Sequence, residues 1–361
     1  MINVVGAGPA GSYFSYLCKE ECRLFEEHKE VGKPVACTGI MTKAIFDLVD
    51  VDKDVIVNEL SKVRVVGKDN EMVFNLRDKE VVVDRGKFDK FIVEKAVDNG
   101  VKTMLNHKFI GCKNDKAVFK SGNFTRKYEY GKLVGADGPN SLVARENGLM
   151  MGRKYWVGKQ YSVKMRCDSE EFVVFFGEIP DFFGWVVPEN DGMARVGVAS
   201  ERFSGRYFDE LVKRIDVGKE KFVECQSGLI PMYNGDRACK GDVYLLGDAA
   251  GHVKATTGGG LVYGMRGARC LANAINNGGD YEKEWRKEFG RELWFHLQVR
   301  RFLNRLNGRD YDEMIELLKK VDLGRYNRDY PFRSLGLLMN PGLMRFGVKH
   351  LLVNHRKEFF L

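Results

Sequence analysis

No stretch of the 361-residue chain stays apolar for the ~18 residues that a membrane-spanning helix needs, so the sequence offers no candidate span. None of the eight cysteines forms a C-x-x-C pair, and the six histidines do not cluster. That removes the usual zinc and iron–sulfur signatures and leaves no metal to expect. Cysteines used this way point to reduced thiols and a cytoplasmic protein. The first residues are apolar, but their glycines and the lack of a basic segment argue against a secretory signal. Repeats and low-complexity tracts are also missing. The 58 basic and 50 acidic residues leave a net charge of +8 that is spread along the chain, which excludes a concentrated nucleic-acid-binding patch. So modest an excess suits an anionic partner instead, such as phospholipid head groups or an acidic electron carrier. Hydrophobic and charged fractions of 44% and 30% describe a folded globular chain, long enough for two domains or one elaborated domain.

The most informative residues stand near the start, in Val4-Val5-Gly6-Ala7-Gly8-Pro9-Ala10-Gly11. An apolar strand precedes this run and a helical stretch to Cys18 follows it. Glycines at 6, 8 and 11 permit a tight strand-to-helix turn, close approach of backbone to a pyrophosphate, and helix-on-strand packing. The helix start offers free N–H groups and a positive dipole end to phosphates. Leu24-Phe25-Glu26 ends a second strand and places Glu26 to bind ribose hydroxyls. Far downstream, Gly247-Asp248-Ala249-Ala250-Gly251 supplies what the other end of the same dinucleotide requires.

Between these motifs the pattern changes. Val63, Val65 and Val66, then Val81, Val82 and Val83, read as strands joined by the turn Gly67-Lys68-Asp69-Asn70. Residues 88–99 read as a helix with Phe88, Phe91, Ile92 and Ala96 on one face and Gly100 as its stop. Residues 133–138 read as a buried strand entering a turn. Short alternating strands dominate 155–199, the nucleotide-binding pattern resumes at Val243 with a helix over 261–276, and the remainder is mostly helical. The expected fold is therefore α/β: a Rossmann-like dinucleotide-binding domain (1–60, 84–150 and 240–278) interleaved with an antiparallel-sheet domain (61–83 and 151–239), plus a helical C-terminal region (279–361).

In their order along roughly residues 1–275, these motifs resemble the FAD-dependent geranylgeranyl reductases, within the larger flavoprotein group that includes aromatic hydroxylases. The resemblance implies FAD as cofactor. It implies that Gly6, Ala7, Gly8, Pro9, Ala10, Gly11 and Glu26 hold the adenosine and pyrophosphate. Asp84-Arg85-Gly86-Lys87-Phe88-Asp89 is similar to a DRxxFD stretch whose arginine, here Arg85, reaches the phosphates. Phe109 stands where strand backbone meets adenine, and Gly135–Ser141 is similar to a GADGxxS segment that closes over the nucleotide fold. Asp248 corresponds to the aspartate on the ribityl chain, and Gly258, Gly259, Gly260 and Leu261 to the run beside the flavin ring. Bare N–H groups at a helix start can stabilise negative charge on the reduced ring's N1–C2=O edge.

Two further stretches narrow the resemblance. Lys33–Gly39 is similar to the cysteine-bearing loop of these reductases, which implies that Cys37, Thr38 and Gly39 lie at the flavin and gives Cys37 a catalytic place. The plainer reading of Cys37 is a small buried hydrophobe. Pro180–Pro188 resembles a PxxYxWxFP substrate motif, with Phe183 for tyrosine and Val187 for phenylalanine, which implies a substrate pocket at Phe183, Trp185, Val187 and Pro188. Alternation puts Phe183, Trp185 and Val187 on one strand face, which would equally serve as plain core. No second GxGxxG with a following acid occurs, so the electrons are expected from a ferredoxin-like carrier or a transiently docking NAD(P)H.

An isolated alkene accepts hydride only together with a proton, and aromatic faces with a dry site ease the charge that develops. The proton donor is not identifiable from sequence; His252 follows the Asp248 motif closely but reads equally as a polar helix-start group. The expected activity is saturation of isolated double bonds in geranylgeranyl chains, on archaeal-type isoprenoid ether lipids or their precursors. The alternatives are a flavin monooxygenase of the aromatic hydroxylase type and a non-enzymatic prenyl carrier. At the C-terminal end, an amphipathic helix is expected over 281–306, with Trp285, Phe289, Leu293 and Leu297 stacked along it. The stretch 335–353, broken at Asn340-Pro341-Gly342 and followed by His355-Arg356-Lys357, has the apolar and basic make-up of a segment resting on a bilayer. That places the protein in the cytoplasm with a peripheral contact at the inner face of the membrane.

Overall fold

The computed structural model describes residues 1–150 and 152–358, with side chains through Leu351 apart from Leu338. The basic flank His355-Arg356-Lys357 thus has its side chains outside the described residues.

Near-continuous apolar runs form strands buried on both faces. These build a six-stranded sheet in the order Cys239–Lys240, Val243–Leu245, Lys132–Gly135, Ile2–Val5, Cys22–Phe25, Lys102–Met104. All its pairings are parallel except the first. The helices Pro9–Leu17 and Leu261–Asn277 pack on each other beside it. Helix Arg85–Asp98 starts one residue after Asp84, whose side chain accepts the Lys87 N–H at 3.0 Å, an N-cap of the usual kind. Phe88, Ile92 and Ala96 are buried along its inner face.

The second sheet has eight strands, in the order Phe222–Pro231, Tyr155–Lys164, Met193–Ser200, Gly184–Asn190, Glu171–Phe175, Ile56–Val66, Glu71–Val83, Ile40–Met41. It is antiparallel except where Glu171–Phe175 runs parallel to Ile56–Val66. The hairpin turn falls at 67–70, closed by the Gly67 N–H on the Asn70 carbonyl at 2.8 Å. Two features differ from the sequence reading. The hairpin is one continuous ribbon from Ile56, and Ile40–Met41 pairs with its second strand, so the larger sheet draws on residues before 61. A separate three-stranded meander, Lys108–Lys113, Lys116–Ser121 and Phe124–Glu129, lies inside the segment 84–150. Its Phe119 stacks on Phe25 at 4.0 Å between centroids, which seals the end of the parallel sheet.

Helix Tyr281–Trp285 continues through a π-turn at Arg286–Gly290 into Arg291–Leu303. Trp285, Phe289 and Leu293 are buried as the i+4 stack requires, and Leu297 is half-buried against the same core. Asn340-Pro341-Gly342 does break the final stretch, with a short helix Leu335–Leu338 before it and Pro341–Glu358 after it. Among the described residues no helix is long and apolar enough to cross a membrane.

Candidate flavin site and cavity

The three fingerprint glycines meet three different surroundings. Gly6 has φ +102°, and a Cβ there would lie 2.3 Å from the Ala136 carbonyl oxygen. A Cβ on Gly11 would lie 2.1 Å from the Gly6 carbonyl oxygen, so helix and turn touch backbone to backbone. Gly8, the N-cap of helix Pro9–Leu17, has nothing within 4 Å of where its Cβ would be. That gap, at a helix start with no side-chain cap, is where a phosphate can approach. Glu26 reaches back to the turn: Oε2 accepts the Ala7 N–H at 2.9 Å and Oε1 the His28 N–H at 3.0 Å.

Asp248 follows strand Val243–Leu245 in a tight 3-10 turn, Gly247–Ala250. Among the described residues no donor reaches its carboxylate. Burial pushes its pKa up to about 6, against the opposing pull of Arg85 and Arg153. A Cβ on Gly260 would come within 2.9 Å of Asp248 Oδ1, so the glycine keeps that carboxylate accessible. A half-buried acceptor without donors, next to glycines stripped of side chains, fits a ligand that brings hydroxyl groups. Arg85 pairs with Asp89 through two bonds, Nε to Oδ1 at 2.9 Å and Nη2 to Oδ2 at 3.0 Å, and faces the Cys37 thiol. This fork holds the guanidinium between the Cys37 loop and Asp248.

Against the eight-stranded sheet lies a cavity of about 350 Å³. Ala36, Cys37, Thr38 and the run Gly258–Leu261 line one side, and the inner face of the eight-stranded sheet lines the other. Lining residues come from Gln226–Ile230 at one edge strand to Phe74 and Leu76 near the opposite edge. That distance is six inter-strand steps of about 4.8 Å, on the order of 30 Å of sheet. Phe183, Trp185 and Val187 line it together, as alternation requires. Pro188 does not: it lies outside the lining, and its carbonyl accepts the Asn58 side chain at 3.0 Å. The Trp185 ring lies against Gly197, where a Cβ would be 2.5 Å from Cζ2. Its indole N–H donates to Gln160 Oε1 at 3.1 Å, and Gln160 Nε2 in turn donates to Gln226 Oε1 (2.6 Å) and the Cys37 carbonyl (3.1 Å). An amide chain thus ties the tryptophan to the cysteine loop.

Arg195 fixes that loop from behind, with Nη1 on the Thr38 carbonyl at 2.7 Å and Nε on Glu189 at 2.6 Å. Gly39 (φ +72°) could carry no side chain, since its Cβ would sit 2.5 Å from the Val83 carbonyl oxygen. Sequence reasoning misses Arg195, Gln160 and Gln226; Arg195 leaves a trace as a charge between Ala194 and Val196, whereas the polar neighbours Lys159 and Ser227 hide the two glutamines.

Phe109 and His252 both stand away from the cavity lining. The Phe109 ring packs edge-on to Phe119 in the small meander. His252 is fully buried among Trp285 and Phe289, and burial pushes its pKa down to about 3. A neutral imidazole there is core, not a proton donor. Arg300, on helix Arg291–Leu303, points inward and donates to the carbonyls of Ala255 (2.9 Å) and Thr256 (2.7 Å), bracing the loop before the glycine run.

No family model matches the chain. A digeranylgeranylglycerophospholipid reductase of Methanothrix thermoacetophila is 26% identical, over 97% of this chain and 98% of that protein. A second protein of that name, from Methanosarcina acetivorans, is 27% identical over 88% of each. Among solved structures, a geranylgeranyl bacteriochlorophyll reductase-like protein of Thermoplasma acidophilum superposes with a TM-score of 0.84 at 21% identity, over 95% of this chain and 97% of that one. A probable FAD-dependent monooxygenase of Pseudomonas aeruginosa follows at 0.65 and 16% identity, over 86% and 96%. The resemblance read from the motifs is therefore a homology: along nearly its whole length the chain is related to the geranylgeranyl reductase family of flavoproteins.

Proposed function

We propose that the protein is an FAD-dependent reductase that saturates isolated double bonds of geranylgeranyl chains, on archaeal-type isoprenoid ether lipids or their precursors. The observation that carries this reading is the shape of the cavity. A lining drawn from seven of the eight strands suits a long thin chain better than a compact ring, and Phe182, Phe183, Trp185 and Val187 give it an aromatic and apolar wall. FAD would be held by Gly6–Gly11, Glu26, Arg85 and Asp248, with strand backbone at Phe109 for the adenine and with Cys37–Gly39 and Gly258–Leu261 for the ring. Bound there, FAD supplies hydride chemistry. The chain's own residues do the rest. Phe183 and Trp185 present ring faces to positive charge developing on the alkene, and the cavity walls exclude water. Gln160 fixes the tryptophan relative to Cys37, whose thiol positions the reacting groups beside Arg85.

A ferredoxin-like carrier or transiently bound NAD(P)H supplies the electrons; a single parallel sheet occurs among the described residues, with no second nucleotide-binding fold to hold a nicotinamide. The make-up of the final helix supports a peripheral membrane contact. Met344, Val348 and Leu351 are exposed at helical spacing, with Arg345 and Lys349 beside them. Anionic vesicles should carry the protein in flotation, and M344E/V348E/L351E should leave it unbound.

The deciding experiment gives anaerobically reduced protein a geranylgeranyl lipid. Mass spectrometry should find products heavier by two hydrogens per reduced bond. Oxygen-dependent NAD(P)H consumption with no saturated lipid would favour a monooxygenase, and a protein that takes up no FAD would sink both.

A further inference from the structure

Four charged side chains cluster at the cavity in two pairs, buried Lys254 with buried Asp329 and half-buried Arg328 with buried Glu80. Lys254 Nζ donates to Asp329 Oδ1 at 2.5 Å, the Thr42 hydroxyl donates to the other carboxylate oxygen, and the Tyr263 hydroxyl donates to the Asp329 carbonyl at 2.9 Å. A buried ion pair seldom stabilises more than well-packed apolar residues would, so its presence asks for another reason.

The arrangement of the first pair is asymmetric. Lys254 lines the cavity, whereas Asp329 is fully buried behind it. Lys254 is also built into the glycine run. Its carbonyl accepts the N–H groups of Gly258 (2.8 Å) and Thr257 (3.2 Å), and its own N–H donates to the Gly259 carbonyl at 3.1 Å. The side chain then passes beneath Gly259, where a Cβ would lie 3.0 Å from Lys254 Cε and 3.5 Å from Nζ. The positive end of the pair therefore lies against Gly259, in the glycine run that leads into helix Leu261–Asn277, and Asp329 lies behind it. Burial lowers the ammonium's pKa and Asp329 holds it up.

We propose that Lys254 sets the electronics of the flavin: its ammonium, backed by Asp329, adds a fixed positive charge to the glycine-run corner and favours negative charge on the reduced ring's N1–C2=O edge. Charge near N1 is one of the levers by which a protein tunes this cofactor. The inference rests on FAD binding as read above and concerns a residue to which neither the motifs nor the relatives give a role.

The test is a redox titration of FAD-loaded protein. K254M should shift the oxidised-to-reduced equilibrium at least tenfold toward oxidised flavin, about 30 mV for a two-electron couple. K254R should recover most of the difference, which a lysine serving only as packing would not predict. A second measurement needs no variant: at a pH where free reduced flavin is neutral, the wild-type reduced spectrum should be that of the anion. An unshifted potential in K254M overturns the proposal. If K254M holds no flavin, K254Q is titrated in its place with the same expected shift, and a neutral reduced flavin in the wild type overturns the proposal outright. Failure of the wild type to bind FAD would instead overturn the cofactor reading itself.

Discussion

Gly8 and Gly11 belong to one glycine motif, yet the structure separates them and predicts different consequences for the same substitution. At Gly8, φ is −70°, a value any residue adopts, and a new methyl meets no protein atom within 4 Å. Alanine is a poorer N-cap than glycine by about 0.5–1 kcal/mol. Against that, Gly→Ala reduces unfolded-state freedom by about 0.4–1 kcal/mol, so Gly8→Ala should leave the flavin-free protein within about 1 kcal/mol of wild type. At Gly11 the methyl would sit 2.1 Å from the Gly6 carbonyl oxygen, well inside contact distance. Overpacking of that kind costs about 1–3 kcal/mol or more, and the rigid backbone on both sides favours the upper end. FAD affinity should fall in both, but in Gly8→Ala it should fall at least tenfold with stability intact, because the methyl occupies the approach path of the pyrophosphate. Chemical denaturation of the flavin-free proteins and titration of flavin fluorescence measure the two quantities. Gly8→Ala binding FAD as tightly as wild type, or unfolding as readily as Gly11→Ala, would refute the assignment of that gap to phosphate.

Trp185→Ala should abolish lipid reduction while the protein still binds FAD, and should cost about 3 kcal/mol of stability, at the low end for such a truncation because one ring face already borders the cavity; saturated product from this variant would count against the aromatic wall. Burial raises the folded-state pKa of Asp248 to about 6 from an ordinary 3.8, so the folded state binds the proton more tightly and stability falls as pH rises between those values. Asp248→Asn should therefore gain stability over flavin-free wild type above about pH 6, by at most about 3 kcal/mol, with the gain vanishing below pH 4. His252 has the opposite sign: its pKa is depressed to about 3, so its contribution is present above the unfolded value of 6.5 and is lost as pH falls. In His252→Phe the acid-side loss should shrink, and stability curves that stay parallel to wild type below pH 6 would contradict a neutral, buried imidazole.

The parts of the site legible in the sequence are those made by short runs of chain. Gly6–Gly11, the Asp84 cap before Arg85, the Gly67–Asn70 turn and the Gly247–Gly251 turn each carry their own backbone requirements, and each stands where its residues imply. Alternation likewise brought Phe183, Trp185 and Val187 to one wall. The same rule turned Pro188 away, because a period of two cannot place its neighbour on the same face. His252 was ambiguous for a related reason: its position beside Asp248 says nothing of Trp285 and Phe289, which enclose it from a helix thirty-odd residues downstream.

Local chemistry by itself determined the dinucleotide-binding turns and the apolar strand at the cavity wall, since glycine turns, helix caps and strand periodicity act over a few residues and leave their mark in composition. Tertiary structure alone decided which polar groups share the cavity. Gln160 meets Cys37 and Gln226, Arg195 grips Thr38, and Lys254 finds Asp329 across 75 residues of chain. A buried polar atom needs a partner wherever packing brings one, and no periodicity in the chain encodes that distance.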